Sequence, residues 1–448
     1  MKLAISKNAD INYLAKVVKL NTFTSHPNAD KMKIAHVMGY KVCVGLDEPE
    51  GWYIYFPVNS EINPNLLSYA NLYRESEKNS NTEKTGFFNN NGRVTAIKLR
   101  GVPSEGFLLP FETLKSFVLE TLNLELPDVE ENLDFDTIEH NNKSFWICKK
   151  YIVIQQLPNL KNNNRRQKKV NKYNKAIDTQ FRFHYDTVVI AREPFAIEPN
   201  DRIQLSSKWH GTSCISAYVL CKKKPTLKTR ILSLFGAAPI EYDYLYASRS
   251  VIKNCSTVDS EYYNCDVWAE ADKVIRPHLI KGMSIYSEIV GFLPTGGYIQ
   301  KDYDYGCEPP VNNTYISEKN FKVRVYRITL TNVDGIVHEF STQEVQQWCK
   351  NNGLTAVTEM YYGLAKDLYP DIPVDKDWNI KFWERLANDK NFYMECNSPD
   401  CNNKVPHEGL VIKKDDMIPR AWKLKCFKFL GKTQENLDKN ETNIEDIS

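Results

Sequence analysis

At 448 residues the chain has room for two or three domains, and 42% hydrophobic with 25% charged residues belongs to a folded globular protein, not a disordered or fibrous one. A formal net charge of +2 excludes a protein that coats nucleic acid through bulk charge, so any such contact has to be concentrated in patches. No apolar run approaches the roughly 20 residues of a membrane span, no apolar leader core is visible, and 11 cysteines without framework spacing point to reduced thiols in a cytoplasmic chain.

The region 16–110 alternates short β-type runs, at 33–37, 41–45, 52–58 and 94–99, with turn signals, which predicts a small barrel over residues 1–115. Polar residues 79–91 read as a mobile loop. The apolar periodicity of 111–122 predicts a helix. An acidic stretch at 128–136 and a basic, Asn-rich run at 161–175 follow, and 116–180 reads as a connector. The basic run, with Arg165, Arg166, Lys168, Lys169, Lys172 and Lys175, is either a solvated loop or a nucleic-acid patch. A second region of strands and helices spans 181–431, including helical-looking stretches at 341–352 and 378–387. Polar residues 432–448 read as a disordered tail.

Within the second region, Ser206-Ser207-Lys208-Trp209-His210-Gly211 places a lysine three residues before a glycine. A lysine attacks phosphorus only as the free amine. Its ammonium ordinarily has a pKa of about 10.4, so such a site needs burial or nearby cations to favour the neutral form. Gly211 fits a tight turn that brings backbone close to a ligand phosphate, with no Cβ in the way. Lys-x-x-Gly by itself is too common to carry an inference.

Further segments follow it in order. They are Tyr246-Ala247-Ser248-Arg249-Ser250, Ser284-Ile285-Tyr286-Ser287-Glu288-Ile289-Val290-Gly291, Phe321-Lys322-Val323-Arg324-Val325-Tyr326-Arg327-Ile328, His407-Glu408-Gly409-Leu410-Val411-Ile412-Lys413 and Ala421-Trp422-Lys423-Leu424-Lys425. Period-two alternation puts Phe321, Val323 and Val325 on one strand face and Arg324, Tyr326 and Ile328 on the other. Lys423 and Lys425 share one side of a strand, about 6.6 Å apart, so two ammonium groups can face one polyphosphate. Cys396, Cys401 and His407 come near a zinc pattern, but no second Cys pair completes it.

Taken in this order, the segments resemble the covalent nucleotidyltransferases, the superfamily of DNA ligases, RNA ligases and capping guanylyltransferases. The resemblance implies that Lys208 is the nucleophile that becomes lysyl-AMP. It implies that Gly211, Arg249, Glu288, Tyr326, Glu408, Lys423 and Lys425 join it in binding the nucleotide, with Arg249, Lys423 and Lys425 also acting in catalysis. Glu408 and Glu288 would hold a divalent metal, Mg2+ or Mn2+, over the phosphates. Tyr326, or Phe321 in a shifted alignment, would stack on the adenine of ATP.

Nearer the N-terminus, His26-Pro27-Asn28-Ala29-Asp30-Lys31 and Lys98-Leu99-Arg100-Gly101-Val102-Pro103-Ser104-Glu105-Gly106 resemble the ends of the OB-type barrel in tRNA-binding modules attached to synthetases. Read without that resemblance, Gly101 and Gly106 simply turn the chain. Capping enzymes and typical DNA ligases carry an OB domain after the last lysine segment. Here the OB-like part precedes the catalytic part, an order that resembles the Deinococcus-type RNA ligases.

The implied fold class is α+β: an N-terminal OB-type β-barrel module followed by a nucleotidyltransferase domain, ATP-grasp-like, of antiparallel sheets and helices. The implied activity is ATP-dependent sealing of a 3'-OH to a 5'-phosphate end, at nicks with an RNA 3'-OH. RNA or RNA/DNA ends and nicked duplexes would be the partners of a monomer. Nucleotidyl transfer without ligation, as in mRNA capping, and RNA binding by a non-catalytic OB-fold protein stay open as alternatives.

Overall fold

The computed structural model describes residues 1–127, 129–152, 174–185, 187–223, 240–254, 265–312, 314–416 and 420–438. The alternating runs of the N-terminal unit form strands β1 (Ala15–Leu20), β2 (Met32–Val37), β3 (Tyr40–Gly45) and β4 (Gly51–Phe56). They are followed by β5 (Ala96–Leu99), β6 (Val102–Glu105), β7 (Phe107–Pro110), helix α1 (Phe111–Leu122) and β8 (Asp134–Phe135). Ile54, Phe56, Leu109, Phe111, Leu114 and Phe117 form the centre of its core.

The expected closed barrel is not what the ladders build. The strands are divided among short antiparallel sheets, with order β7-β4-β1-β8 in one, β2 paired with β3 and Thr24–Ser25 in another, and β5 with β6 in a third. Because β3 pairs with β2 alone, the ladder is interrupted there, and no closed barrel exists among the described residues. The two segments that resemble the ends of an OB-type barrel do meet: His26 Nε2 lies 3.1 Å from the Leu99 carbonyl, and Asn28 Nδ2 donates to the Arg100 carbonyl at 2.9 Å.

Two boundaries differ from the sequence expectation. The expected loop 79–91 is anchored at two points: buried Asn79 accepts from the Tyr73 amide at 2.9 Å and donates to the Tyr73 and Lys84 carbonyls, and Phe88 is buried, while residues 80–85 between them are exposed. Much of the expected connector belongs to the N-terminal unit, since β8 pairs with β1, Thr137–His140 with Lys2–Ala4, and Cys148–Lys150 with Ser60–Ile62. These pairings join positions more than 80 residues apart, beyond the reach of local patterning. Of the basic run, Lys175 bonds Asp243 at 2.6 Å, whereas Arg165, Arg166, Lys168, Lys169 and Lys172 lie outside the described residues.

The C-terminal region contains two five-stranded sheets. The first orders β9 (Val188–Val189), β10 (Arg202–Ser207), β16 (Glu359–Leu364), β17 (Gly409–Lys414) and β18 (Arg420–Lys425) as β9-β18-β17-β10-β16. The second orders β11 (Thr212–Lys222), β12 (Ile240–Ala247), β13 (Met283–Gly291), β14 (Phe321–Thr331) and β15 (Val337–Glu339) as β12-β11-β13-β14-β15. All pairings are antiparallel except β9 with β18, so the region is a sheet-rich α+β fold.

Helix α2 (Val267–Ile275) packs on the second sheet. The two stretches that read as helical are helices: α3 (Thr342–Asn351), opened by a capping box between Ser341 and Glu344, and α4 (Trp378–Ala387). Buried Trp378, Phe382 and Leu386 of α4 join Leu205, Leu410, Ile412 and Trp422 in the core of the first sheet.

The expected tail begins as structure. Helix α5 (Phe427–Asp438) runs through Lys432, and residues 439–448 lie outside the described residues. Local composition hides the reason, which is tertiary. Asp438 pairs with buried Arg93 at 2.5 Å, and Gln434, oriented to satisfy its bonds, donates to the Ala96 carbonyl at 2.9 Å. A second latch is buried Arg192, whose guanidinium reaches Asp134 at 3.0 Å and the carbonyls of Asn12 and Leu14. Among the described residues no helix is long and apolar enough to cross a membrane.

Candidate active site

A pocket between the two sheets gathers residues from segments far apart in sequence. Ser206, Ser207, Val411, Lys413, Lys423 and Lys425 come from the first sheet, and Ser213, Glu288, Tyr326 and Arg327 from the second. Lys208 and Arg249 complete the set of predicted residues that line it. Lys208 leaves the end of β10, with its amide donating to the Gly409 carbonyl at 2.9 Å. Trp209 anchors the turn, stacked on Tyr305 with ring centres 4.5 Å apart.

Gly211 is required for a different reason from the one its spacing suggests. A Cβ there would sit 2.2 Å from the Ile289 carbonyl oxygen and 2.7 Å from Val290 Cγ1, so the glycine lets the turn press against β13. Glu288 reinforces the same turn, accepting from the Gly211 amide at 3.1 Å and from the Ser213 hydroxyl at 3.3 Å. The structure thus places Glu288 as a clamp on the segment carrying Lys208.

Glu408 is the electrostatic centre. Its side chain is fully buried; Lys208 Nζ lies 2.8 Å and Lys425 Nζ 3.2 Å from Oε1, and His210 Nδ1 lies 3.8 Å from Oε2. A carboxylate taken out of water needs such partners. Gly409 makes the arrangement possible: at φ +138° it brings β17 so close to β18 that a Cβ would meet the Leu424 carbonyl oxygen at 2.0 Å. Gly409 pairs with Lys425 and Val411 with Lys423, which carries both lysines along the pocket side of β18.

Beneath Lys208, the Ser207 hydroxyl and His407 Nε2 are 2.8 Å apart. Burial pushes the His407 imidazole down to about 4, so this is a neutral pair near pH 7. That contact occupies one ring nitrogen of the near-zinc pattern. Among the described residues no group of three or more His, Cys, Asp or Glu is gathered to hold a metal, so Cys396, Cys401 and His407 form no such site.

The alternation expected for β14 breaks at Tyr326. Tyr286 faces Arg327 and Ser287 faces Val325, leaving Tyr326 as the extra residue of a β-bulge. The bulge moves Ile328 into the same core cluster as Phe321, Val323 and Val325, contrary to the two-face reading, and presents Tyr326 to the pocket. Phe321, the second choice for a stacking ring, is core, packed on Tyr315 with centroids 4.6 Å apart.

Three pocket residues were given no role by the sequence: His184 lies outside the motif segments, and Arg327 and Lys413 lie within them. His184 meets the Tyr326 ring edge-on with centroids 5.4 Å apart. Arg327 is held between the rings of Tyr185 and Tyr286, at 4.6 and 4.4 Å, and bonds Glu339 at 2.8 Å. Lys413 donates to the Tyr326 carbonyl at 2.5 Å, and burial pushes its ammonium down to about 8.

Glu408 is the hard oxygen donor beside Lys208, buried behind that lysine and Lys425 rather than on the pocket wall, and Mg2+ or Mn2+ is commonly held by one or two carboxylates together with substrate phosphates. The pocket wall with Tyr326, Val357 and Val411 offers aromatic and aliphatic surface to a planar ring.

No family model and no curated protein sequence matches the chain. Solved structures do. A variant of Naegleria gruberi RNA ligase with ATP and Mn superimposes with a TM-score of 0.53 at 15% identity, covering 94% of this chain and 99% of that one. Another variant, with AMP and Mn, gives 0.52 at 13% identity, and the ligase with PPi gives 0.51 at 14%, each with the same coverage. At these identities the likeness is one of fold, and it extends over nearly the full length of both chains.

Proposed function

We propose that this chain is an ATP-dependent RNA ligase that seals 3'-OH and 5'-phosphate ends, at nicks with an RNA 3'-OH, through a lysyl-AMP formed on Lys208. The observation that carries the reading is Lys208 paired with fully buried Glu408 beside Lys425, lining a pocket between two sheets in a fold shared with an RNA ligase. The complexes of that ligase with ATP, AMP, Mn and PPi support the same nucleotide chemistry here.

In this reading the base lies against Tyr326 and Val411, and the phosphates meet Lys423, Lys425 and Arg249. Lys208 arrives as an ammonium held by Glu408 and has to release that proton before attack. Its amine then forms a bond to the α-phosphorus of ATP as the bond to the bridging oxygen breaks and pyrophosphate leaves. An oxygen of a 5'-phosphate end next takes the AMP and frees Lys208, and a 3'-hydroxyl attacks that activated end and expels AMP. Glu408 would hold Mg2+ or Mn2+, which supplies charge neutralisation on the phosphates when bound. Glu288, already committed to the Gly211 amide, positions the nucleophile's turn and is the secondary candidate for the ion.

The N-terminal unit is assigned to gripping nucleic-acid ends, and the protein to work as a cytoplasmic monomer. The test is end joining: a nicked duplex with an RNA 3'-OH and a 5'-phosphate, incubated with the protein, ATP and manganese, yields a joined strand, and Lys208→Ala yields none. Joining that persists in Lys208→Ala refutes the assignment. Labelling of the protein by GTP alone, without joining, transfers it to capping-type chemistry.

A further inference from the structure

A second cavity, of about 490 Å³, lies between the N-terminal unit and the catalytic region. It borders the nucleotide pocket through Lys423 and Lys425, which line both spaces. Away from that junction its walls carry Lys41 on β3, Lys98 on β5 and Lys428 on α5, all exposed and none with an ion-pair partner among the described residues. Tyr40 adds an aromatic wall, stacked on Tyr55 with centroids 5.8 Å apart and planes 18° apart. The Arg192 latch and the Arg93–Asp438 pair fix the two flanks relative to each other, so the cleft exists before any ligand arrives.

We propose that this cleft seats the single-stranded, 5'-phosphorylated end of a polynucleotide, its backbone phosphates along Lys41, Lys98 and Lys428 and its terminal phosphate delivered over Lys423 and Lys425 to Lys208. The inference rests on the ligase reading of the pocket, and it adds to the nicked duplex a second substrate class, an unpaired 5'-phosphorylated strand, together with the route by which it enters. Exposed cations beside a phosphate-handling centre suit a polyanion. An aromatic ring among them favours a strand whose bases are free to stack, whereas a duplex keeps its bases paired inside. Five lysines line the cleft against three carboxylates, Glu105, Glu384 and Glu395, so its lining stays net positive. Burial, with the neighbouring Glu395, pushes the Glu105 carboxyl up to about 7 against the opposing pull of Lys41, so it offsets Lys41 only in part near neutrality.

The test uses the full chain and a fluorescent, 5'-phosphorylated single-stranded RNA in buffer with EDTA, so that binding is read without chemistry. Lys41→Ala, Lys98→Ala and Lys428→Ala are each expected to weaken binding roughly threefold, and the triple variant about 30-fold. The salt slope should fall by about 0.7 for each lysine removed. Labelling of Lys208 by ATP in the same variants should stay within about twofold of wild type, which also reports that they fold. A triple variant that binds the strand as tightly as wild type overturns the proposal, and so does equal loss on a fully paired blunt duplex, which would make the cleft a general phosphate surface. Failure of the ligase reading has a different signature, no label on wild-type Lys208 whatever the strand-binding result.

Discussion

The nucleotide pocket and the cleft beside it are both lined with lysines and carboxylates, yet they use them differently. In the pocket, charge is spent internally: buried Glu408 takes Lys208 and Lys425, and Arg327 is held by Glu339 and two tyrosines. In the cleft, Lys41, Lys98 and Lys428 face solvent without such partners among the described residues. The first arrangement preorganises groups for chemistry on one phosphorus atom. The second suits reversible capture of many phosphates. The junction, at Lys423 and Lys425, is where the proposed captured end would meet the activated nucleotide.

The contrast is most severely tested at Glu408. Glu408→Gln leaves two ammonium groups facing a neutral amide, and removal of one buried partner of this kind costs roughly 3–5 kcal/mol. Transfer of AMP to Lys208 is expected to fall by about 10²- to 10³-fold, measured by single-turnover labelling, with strand binding in the cleft unchanged. A similar loss in both would mean that the two spaces form one electrostatic unit.

Next in size is the latch that holds the cleft's walls. Arg192→Ala removes a buried guanidinium, but Asp134 keeps Lys16 at 3.0 Å, so the expected loss is at the lower end, about 3 kcal/mol, in urea unfolding. Unfolding should become biphasic as the N-terminal unit uncouples. A single unchanged transition would show that Arg192 is not what joins the two.

The smallest effect is the pH response of Glu105. Its carboxyl titrates at about 7 in the folded chain against 4.5 ordinarily, so the folded state holds the proton more tightly. The stability this group contributes is full below 4.5 and is lost as pH rises through 7. Glu105→Gln cannot ionise, so its Tm should gain on wild type across that window, by about 2–4 °C for each kcal/mol, and the gap should level off above it. Parallel Tm profiles for the two proteins would contradict the assignment.

The two regions also differ in how much the sequence disclosed. In the pocket, chemistry dictates residue type, so Lys208, Arg249, Glu288, Tyr326, Glu408, Lys423 and Lys425 could be picked out as short segments in order; the fold brings six of them around one space, with Glu408 buried behind Lys208 and Lys425. Their geometry was hidden where it depends on a partner strand. The bulge at Tyr326 exists only in the pairing of β13 with β14, and the need for Gly211 comes from the backbone of β13 rather than from a turn. His184 enters the pocket through tertiary packing and carries no motif, while Arg327 lies within a quoted segment but is turned to the pocket by the bulge beside it. In the N-terminal unit, alternation gave the strands but not their closure. It could not show that Asp134–Phe135 returns to pair with Ala15 and Lys16, nor that a polar tail becomes helix because Arg93 and Ala96 receive it.

The central claim is that the pocket loads AMP onto Lys208. Its most direct test is mass spectrometry of peptides from the full chain after incubation with ATP and manganese, in wild type and in Lys208→Ala. The account predicts an acid-labile AMP adduct on the peptide containing Lys208, absent from the variant and reversed by added pyrophosphate. An adduct on any other lysine, or one that persists in Lys208→Ala, would contradict it.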